Sequence, residues 1–189
     1  ISNMDENNLS RVFKTFGDER YSKKIAREIV RIRKFKTIKT EDLVQIIDSV
    51  KKYQKTKIHN STKIFQALRI LVNKEISELI NALINSFHLI PIGGVIAVVT
   101  FHSIEDKIVK FFFKHYSEER NSSRYMPNKE ESKKCFKLIN KKPILPSFKE
   151  VSQNPPSRSA KLRYAIKINQ KCNFNDLREK FKYLTDVEE

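Results

Sequence analysis

The sequence predicts an α/β protein, in which helices lead into a central strand that ends in a cluster of polar side chains. A helix-forming segment passes through Pro91, Gly93 and Gly94 into residues 95–101, an uncharged and largely β-branched run. Such a run, bounded by a turn, is typical of a strand that is buried on both faces of a parallel sheet. Residues 161–168 alternate apolar with polar side chains, which is typical of a half-exposed antiparallel strand.

Residues 1–57 are predicted to form a small, basic, all-helical module. Asp5 or Asn3 can cap a first helix, and two further amphipathic helices are expected over about 22–35 and 40–52. The polar side of the second helix carries the cations Lys23, Lys24, Arg27, Arg31, Arg33 and Lys34. An ordinary solvated helix surface accounts for such a pattern, but the density of cations also favours contact with nucleic-acid phosphates.

A polar connector, 55–63, is predicted to end this module, so that the expected domains are 1–57 and 58–189. With one parallel-type strand the sheet looks incomplete, and we expect an exposed sheet edge and marginal stability. In the second part, we expect one long helix over 61–87, the central strand over 95–101 and a helix over 104–116 with Ser103 as N-cap. A loop over 118–134, a strand over 137–145 broken by Pro143 and a loop over 146–157 follow. The antiparallel strand over 161–168 and a helix from Asn175 are expected to end the chain.

The charge of the chain predicts a polyanionic partner. Lys and Arg number 38 against 22 Asp and Glu, which gives a net charge of +16. Nucleic acid is the first candidate and an acidic membrane surface the second. No apolar run approaches the roughly 18 residues of a spanning helix, and the N-terminus does not resemble a signal peptide, so no membrane-spanning segment is expected. Nucleic acid is kept as the expected partner, and no membrane partner is expected.

The cysteines and glycines of the chain argue against two kinds of site, a cysteine metal site and a glycine-rich nucleotide loop. Cys135 and Cys172 have no metal-binding spacing and are expected to be free thiols in a reducing, cytoplasmic compartment. The three glycines of the chain exclude a glycine-rich nucleotide loop. The chain opens at Ile1 rather than at a methionine, and we expect it to be a fragment.

The candidate site is the polar cluster that follows the central strand, namely His102, Ser103, Glu105 and Asp106. In open α/β sheets, ligands bind beyond the carboxyl ends of strands. A capped helix start would explain the same residues without a ligand. A Ser-His-acid hydrolase is disfavoured because its residues would come from separate segments, and no third ligand supports a metal site.

Three other features have both a functional and an ordinary interpretation. Asn154 begins an Asn-Pro-Pro string like that of amino-group methyltransferases, but without the aromatic residue, so a plain loop is favoured. Arg69 is either an ion-paired surface residue or a ligand contact. A basic segment at the start of the last strand could hold phosphates or form a charged edge strand; it contains Arg158, Ser159, Lys161 and Arg163.

Taken together, these blocks resemble the family of small-subunit ribosomal RNA cytosine-N4 methyltransferases, methyltransferase H or MraW. The resemblance rests on FGDERYSKKIAREIV (16–30), STKIFQALRILVNKEISEL (61–79), GGVIAVVTFHSIEDKIVKFF (93–112) and KPILPSFKEVSQNPPSRSAKLR (142–163), and covers nearly the whole chain. The departures are Thr100 for the usual Ser, Ile104 for Leu and Pro156 for Arg.

The resemblance implies a partial class I, Rossmann-like methyltransferase domain that depends on S-adenosylmethionine, with an all-α insertion that contacts the substrate. The implied reaction is methylation of N4 of a cytidine in small-subunit ribosomal RNA. Residues 1–57 correspond to the insertion and 58–189 to the C-terminal half of the catalytic domain. The family's donor-binding segments do not occur in this chain, which is therefore expected to be inactive alone.

On this interpretation His102, Ser103 and Glu105 border the cytidine, while Arg158, Lys161 and Arg163 hold RNA phosphates. The full candidate set for RNA or cytidine is Arg69, His102, Ser103, Glu105, Asp106, Arg158, Ser159, Lys161 and Arg163. The expected partner is small-subunit ribosomal RNA or the small ribosomal subunit. The sequence does not determine the oligomeric state, and a dimer is one option. The rivals are a non-catalytic RNA-binding or ribosome-assembly protein and a basic DNA-binding protein, and the latter lacks a recognisable recognition helix.

Overall fold

The structure, a computed structural model, describes residues 1–51, 59–117 and 134–189. Over these residues the chain combines helices with a small sheet, which confirms the predicted mixture of α and β structure. The helices are α1 Glu6–Gly17, α2 Ser22–Ile32, α3 Thr40–Lys51, α4 Thr62–Asn73, α5 Glu75–Leu89, α6 Ser103–His115, α7 Phe148–Gln153 and α8 Asn175–Glu188. The strands are β1 Val95–Thr100, β2 Phe136–Leu138 and β3 Lys161–Lys167, and a 3-10 helix covers Pro155–Ser159.

The described residues form two compact units, which we call the helical unit, residues 1–76 with 183–189, and the sheet unit, residues 77–182. The predicted domains, 1–57 and 58–189, meet at a boundary outside the described residues and stay a prediction. Among the described residues, no helix combines the length and the apolar character needed to cross a membrane.

The helical unit is built on α1, which packs against α2 and α4. Asp5 caps α1 by accepting a hydrogen bond from the Asn8 amide, which confirms one of the two predicted caps. Gly17 lies at the contact with α4, because a Cβ atom there would come within 2.6 Å of the Lys63 carbonyl oxygen. The core is apolar and consists mainly of Leu9, Val12, Phe13, Phe16, Ile25, Ile29, Leu43, Ile47, Ile64 and Ile70.

The predicted long helix over 61–87 is wrong, because the chain forms two helices, α4 and α5. Lys74 interrupts them with a left-handed backbone conformation, φ 49°, and its amide donates to the carbonyls of Ile70 and Leu71. This is an ordinary helix C-terminus, but it usually carries Gly or Asn. Since Lys is a good helix former, the sequence pattern continues through the break.

The sheet has the strand order β1-β3-β2, and both pairings are antiparallel. β1 pairs with β3 from Val95↔Ile166 to Thr100↔Lys161. The prediction of a strand buried on both faces is wrong for the described residues. Among the described residues, β1 is an edge strand that pairs with β3 alone. The face of β1 that carries Val95 and Val99 is open to solvent, and these side chains are about half exposed. The predicted antiparallel strand, β3, is confirmed.

The core of the sheet unit is a cluster of aromatic rings from α5, α6, β2 and the segment before α8. It contains Phe87, Phe112, Phe113, Phe136 and Phe174. Lys167 is buried beside it, and its Nζ donates to the carbonyls of Phe87 and Ile90, 2.7 and 2.8 Å away. A β-strand lysine therefore satisfies carbonyls at the C-terminal end of α5.

Several local predictions for the sheet unit need correction. Cys135 and Cys172 form a disulfide, so the predicted free thiols are wrong: the fold brings their Cα atoms within 6.0 Å. The predicted loop over 146–157 contains α7 and most of the 3-10 helix. The predicted strand over 137–145 is reduced to β2 and a bridge between Ile144 and Leu162.

Candidate functional site

The polar cluster lies at the junction of β1 and α6, and a capping box organises it. His102 is the N-cap of α6, so the prediction that Ser103 caps the helix is wrong; Ser103 is its first residue and is exposed. The Glu105 amide donates to His102 Nδ1. In return, Glu105 Oε2 accepts hydrogen bonds from the amides of Phe101 and His102, at 2.8 and 3.2 Å. The carboxylate thus ties the end of the strand to the first turn of the helix.

His102 has a buried donor atom without a hydrogen-bond partner among the described residues. Its side chain is 9% exposed, and Nε2 is the atom left unpaired. Nε2 lies 3.3 Å from Glu105 Oε1, a close contact that lacks hydrogen-bond geometry. Because Nδ1 accepts from an amide, the proton of the neutral ring is assigned to Nε2. A buried N–H group without a partner is unfavourable, so this atom is a candidate donor for a bound ligand.

Glu105 is held in its ionised form. Burial raises the pKa of this carboxyl, but interactions with His102 and the hydrogen bond from the Phe101 amide outweigh burial and bring the pKa below its usual range. The candidate site therefore contains a fixed negative charge at neutral pH.

Asp106 forms ion pairs with two of the cations that are predicted to bind phosphates. Its carboxylate accepts from Arg163 Nε at 2.7 Å and from Lys161 Nζ at 3.1 Å. The side chains of Arg163 and Asp106 are 11% and 13% exposed, whereas that of Lys161 is 38% exposed. Burial raises the pKa of Asp106, but the two cations outweigh it and bring the pKa below its usual range. Both cations are on β3, and its register with β1 brings them to the start of α6.

The remaining candidates are Arg158, Ser159 and Arg69. Arg158 and Ser159 lie in the 3-10 helix before β3 and are exposed, and Arg158 forms no ion pair with a described residue. Arg69 lies in the helical unit, where its guanidinium donates to both carboxylate oxygens of Glu75 at 2.7 and 3.0 Å. The structure therefore joins His102 with Glu105, and Asp106 with Lys161 and Arg163.

Phe101 is a candidate site residue that the sequence patterns did not indicate. It follows directly after β1, more than half of its surface is exposed, and its amide is fixed by Glu105. An exposed aromatic ring beside a polar cluster can stack on a nucleic-acid base. The signal in the sequence is the position of this ring between the strand and His102, where the pattern predicts Phe101 only as the last strand residue.

The residues of this chain do not fit the methyl donor that the resemblance implies. A class I donor site uses a glycine-rich turn at the carboxyl end of a strand. Gly17 lies in α1, while Gly93 and Gly94 precede β1 at its amino end. We therefore assign no donor contacts to these residues.

Comparisons with known proteins identify similar chains. The profile of the MraW methylase family matches residues 1–168. The curated protein "Ribosomal RNA small subunit methyltransferase H" of Azorhizobium caulinodans is 43% identical over 166 residues, which are 87% of this chain and 48% of that protein. The protein of the same name from Ehrlichia chaffeensis is 45% identical over 179 residues, which are 89% of this chain and 58% of that protein.

A third protein of this name, from Leptospira interrogans, is 43% identical over 158 residues, which are 82% of this chain and 43% of that protein. The chain spans about half the length of the curated relatives it matches.

Proposed function

The chain belongs to the MraW methylase family, and on that premise we propose that it is part of an enzyme that methylates small-subunit ribosomal RNA. The names of its relatives support this proposal, as does the net charge of +16, which suits a polyanionic substrate. The proposed donor is S-adenosylmethionine and the proposed acceptor is N4 of a cytidine. We propose that the donor-binding residues belong to a part of the protein outside these 189 residues.

The observation that carries the proposed acceptor site is the buried Nε2–H of His102, which lies 3.3 Å from Glu105 Oε1 and forms no hydrogen bond with a described residue. Cytosine presents two acceptors, O2 and N3, beside its exocyclic amine, and a buried donor can hold either of them. The half-exposed ring of Phe101 is suited to stacking on the same base. The cytidine has to be unpaired or flipped out of a helix to reach such a site.

In this proposal, the chemistry needs positioning rather than a covalent intermediate. The N4 lone pair of cytosine is delocalised into the ring, so the amine is a weak nucleophile. A fixed base orientation and a negative charge near the amine both favour the transition state, in which the nitrogen becomes positive. Glu105 acts here as a positioning residue, because its carboxylate fixes the backbone of Phe101 and His102.

Phosphate binding by Lys161 and Arg163 stays a prediction. A phosphate would have to compete with Asp106 for both side chains, and most severely for the buried Arg163. Of the predicted cations of this region, Arg158 is the one that is exposed and has no ion pair with a described residue, so we propose it as the primary phosphate contact.

The test uses the complete protein that contains this chain, incubated with S-adenosylmethionine and small-subunit ribosomal RNA. The expected product is N4-methylcytidine, detected by mass spectrometry of the digested nucleosides. His102→Asn is the informative variant, because Asn is a strong N-cap and keeps the helix start while removing Nε2–H. The loss of one neutral hydrogen bond of about 1 kcal/mol should lower the methylation rate about 5-fold.

The matched control is His88→Asn, which changes an exposed histidine of α5 and should leave the rate unchanged. Equal rates for His102→Asn and the unchanged protein would refute the role of Nε2. RNA binding without any methylated cytidine would refute the enzyme and support the non-catalytic RNA-binding alternative.

A further inference from the structure

The exposed side of α2 carries a stripe of cations. Lys23, Lys24, Arg27 and Arg31 are all exposed, and at 100° per residue they fall within an arc of about 100° of the helix. The opposite side is apolar and fully buried, with Ile25, Ala26 and Ile29 in the core of the helical unit. The packing of α2 therefore forces its cations together on one surface. Lys34 is also exposed and follows directly after the helix. We call these five residues the α2 stripe.

Most of the charge of the α2 stripe is available to a partner. Lys23, Lys24 and Lys34 form no ion pair with any residue in the described part of the chain. The two arginines contact one carboxylate each: Arg27 with Glu6 at 3.4 Å and Arg31 with Glu28 at 2.8 Å. These arginine side chains are largely exposed, and surface pairs of this kind are weak and screened by salt. Among the described residues, the five cations of the α2 stripe thus form ion pairs with only two carboxylates.

An exposed aromatic ring lies at the end of the α2 stripe. The amides of Phe35 and Lys36 both donate to the carbonyl of Ile32, which places Phe35 in a turn at the C-terminus of α2. Phe35 is 83% exposed, so its ring makes little contact with the core. Cations that follow a backbone, combined with an aromatic ring for a base, are the usual composition of a surface for single-stranded nucleic acid.

We propose that the α2 stripe and Phe35 bind single-stranded RNA, with phosphates along the stripe and one base stacked on the ring. The stripe from residue 23 to residue 34 is about 17 Å long at 1.5 Å per residue, which suits a few successive nucleotides. The choice of RNA over another polyanion rests on the proposed function. The surface itself does not require methyl transfer, since it lies in the helical unit and uses none of the residues of the cluster at β1.

The first experiment measures binding of the whole 189-residue chain to a fluorescent 12-nucleotide oligouridylate by anisotropy, at several KCl concentrations and without a methyl donor. The stripe variant is Lys23→Gln, Lys24→Gln and Lys34→Gln combined. Each phosphate contact contributes about 0.7 to the slope of log K against log salt for a single strand, so the slope should fall by about 2. We expect the affinity at low salt to fall at least 10-fold.

The matched control removes three exposed lysines of the sheet unit: Lys110→Gln, Lys149→Gln and Lys180→Gln. It has the same net charge as the stripe variant. Unchanged slope and affinity in the control would support a defined surface. Equal losses in the two triple variants would mean that net charge alone attracts RNA, which would overturn the proposal.

The second experiment tests the ring. Phe35→Ala should weaken binding about 5-fold or more, as expected for the loss of one base stack, and should leave the salt slope unchanged. Phe35→Trp should retain binding. The control is Phe148→Ala, because Phe148 is even more exposed, at 98%, and should have no effect.

Preferred binding of a duplex over the oligouridylate, or equal effects of Phe35→Ala and Phe148→Ala, would overturn the proposal. Because no donor is present in these assays, failure of methylation in the complete protein would leave their result intact. Conversely, loss of the α2 surface would leave the proposed chemistry at His102 untouched. The two proposals can therefore fail separately.

Discussion

Replacing Asp106 by Asn should destabilise the sheet unit, because it leaves the Arg163 guanidinium buried without a counter-charge. The Asp106 carboxylate accepts two charge-assisted hydrogen bonds, from Arg163 at 2.7 Å and from Lys161 at 3.1 Å. The side chains of Arg163 and Asp106 are nearly buried, whereas Lys161 can turn towards solvent. The loss of stability therefore comes mainly from the unpaired charge of Arg163.

The expected magnitude follows from this burial. Breaking a fully buried ion pair by removing one partner costs about 3–5 kcal/mol, and an exposed pair is worth about 0–1 kcal/mol. Since Arg163 and Asp106 retain slight exposure, we expect about 2–3 kcal/mol for Asp106→Asn. In a chain of this length, that loss lowers the melting temperature by about 5–10 °C. Lys161→Gln should cost less than about 1 kcal/mol.

The assay is thermal unfolding followed by circular dichroism, for the single variants Asp106→Asn, Lys161→Gln and Arg163→Met and for Asp106→Asn combined with Arg163→Met. Removing both charges avoids the unpaired guanidinium, so the double variant should be more stable than Asp106→Asn alone. A loss below about 1 kcal/mol for Asp106→Asn would refute this reasoning, as would a double variant that loses as much stability as Asp106→Asn and Arg163→Met lose in sum.

The same pair predicts a dependence on pH. The folded-state pKa of Asp106 is lowered, so its stabilisation is present above the unfolded-state pKa of about 3.9 and is lost as the pH falls through the folded-state pKa. The difference in melting temperature between the unchanged chain and Asp106→Asn should therefore be constant near neutral pH. It should shrink below about pH 4. A difference that persists unchanged in acid would contradict an electrostatic origin.

Three further predictions concern stability. Lys167→Met should cost about 2–3 kcal/mol in urea unfolding, since two carbonyls at the end of α5 lose their donor, and a loss under about 0.5 kcal/mol would contradict it. Gly17→Ala should lower the melting temperature, because its Cβ atom would clash with the Lys63 carbonyl oxygen; an unchanged melting temperature would show that the contact relaxes. The Cys135–Cys172 disulfide should leave no thiol reactive to Ellman's reagent in the unreduced, unfolded chain, and its reduction should cost about 3–4 kcal/mol.

Local patterns were sufficient for much of the fold. The helical spacing of apolar residues predicted α1, α2 and α3 within a few residues, and the alternation of residues 161–168 predicted β3. The position of the polar cluster after β1 was also predicted correctly. These features depend on residues that are close in sequence, where period and capping preferences act directly.

The errors concern features that depend on contacts between distant residues. An uncharged β-branched run is compatible with an edge strand as well as with a central strand. Nothing in the local sequence therefore indicated that β1 is half exposed. The left-handed conformation of Lys74 had none either, since Lys is not the residue expected there. The disulfide joins residues 37 positions apart, and their proximity depends on the pairing of β2 with β3.

By itself, the sequence determined the basic charge, the periodicities of the main helices and β3, and the family resemblance that the comparisons confirmed. The tertiary structure alone decided how the charged groups are used. Antiparallel pairing of β3 with β1 brings Arg163 to Asp106, 57 residues away in the chain, whereas packing of α2 leaves Lys23 and Lys24 in solvent. Side chains of the same charge differ in whether they can bind a partner, because burial and ion pairing depend on neighbours that only the folded chain supplies.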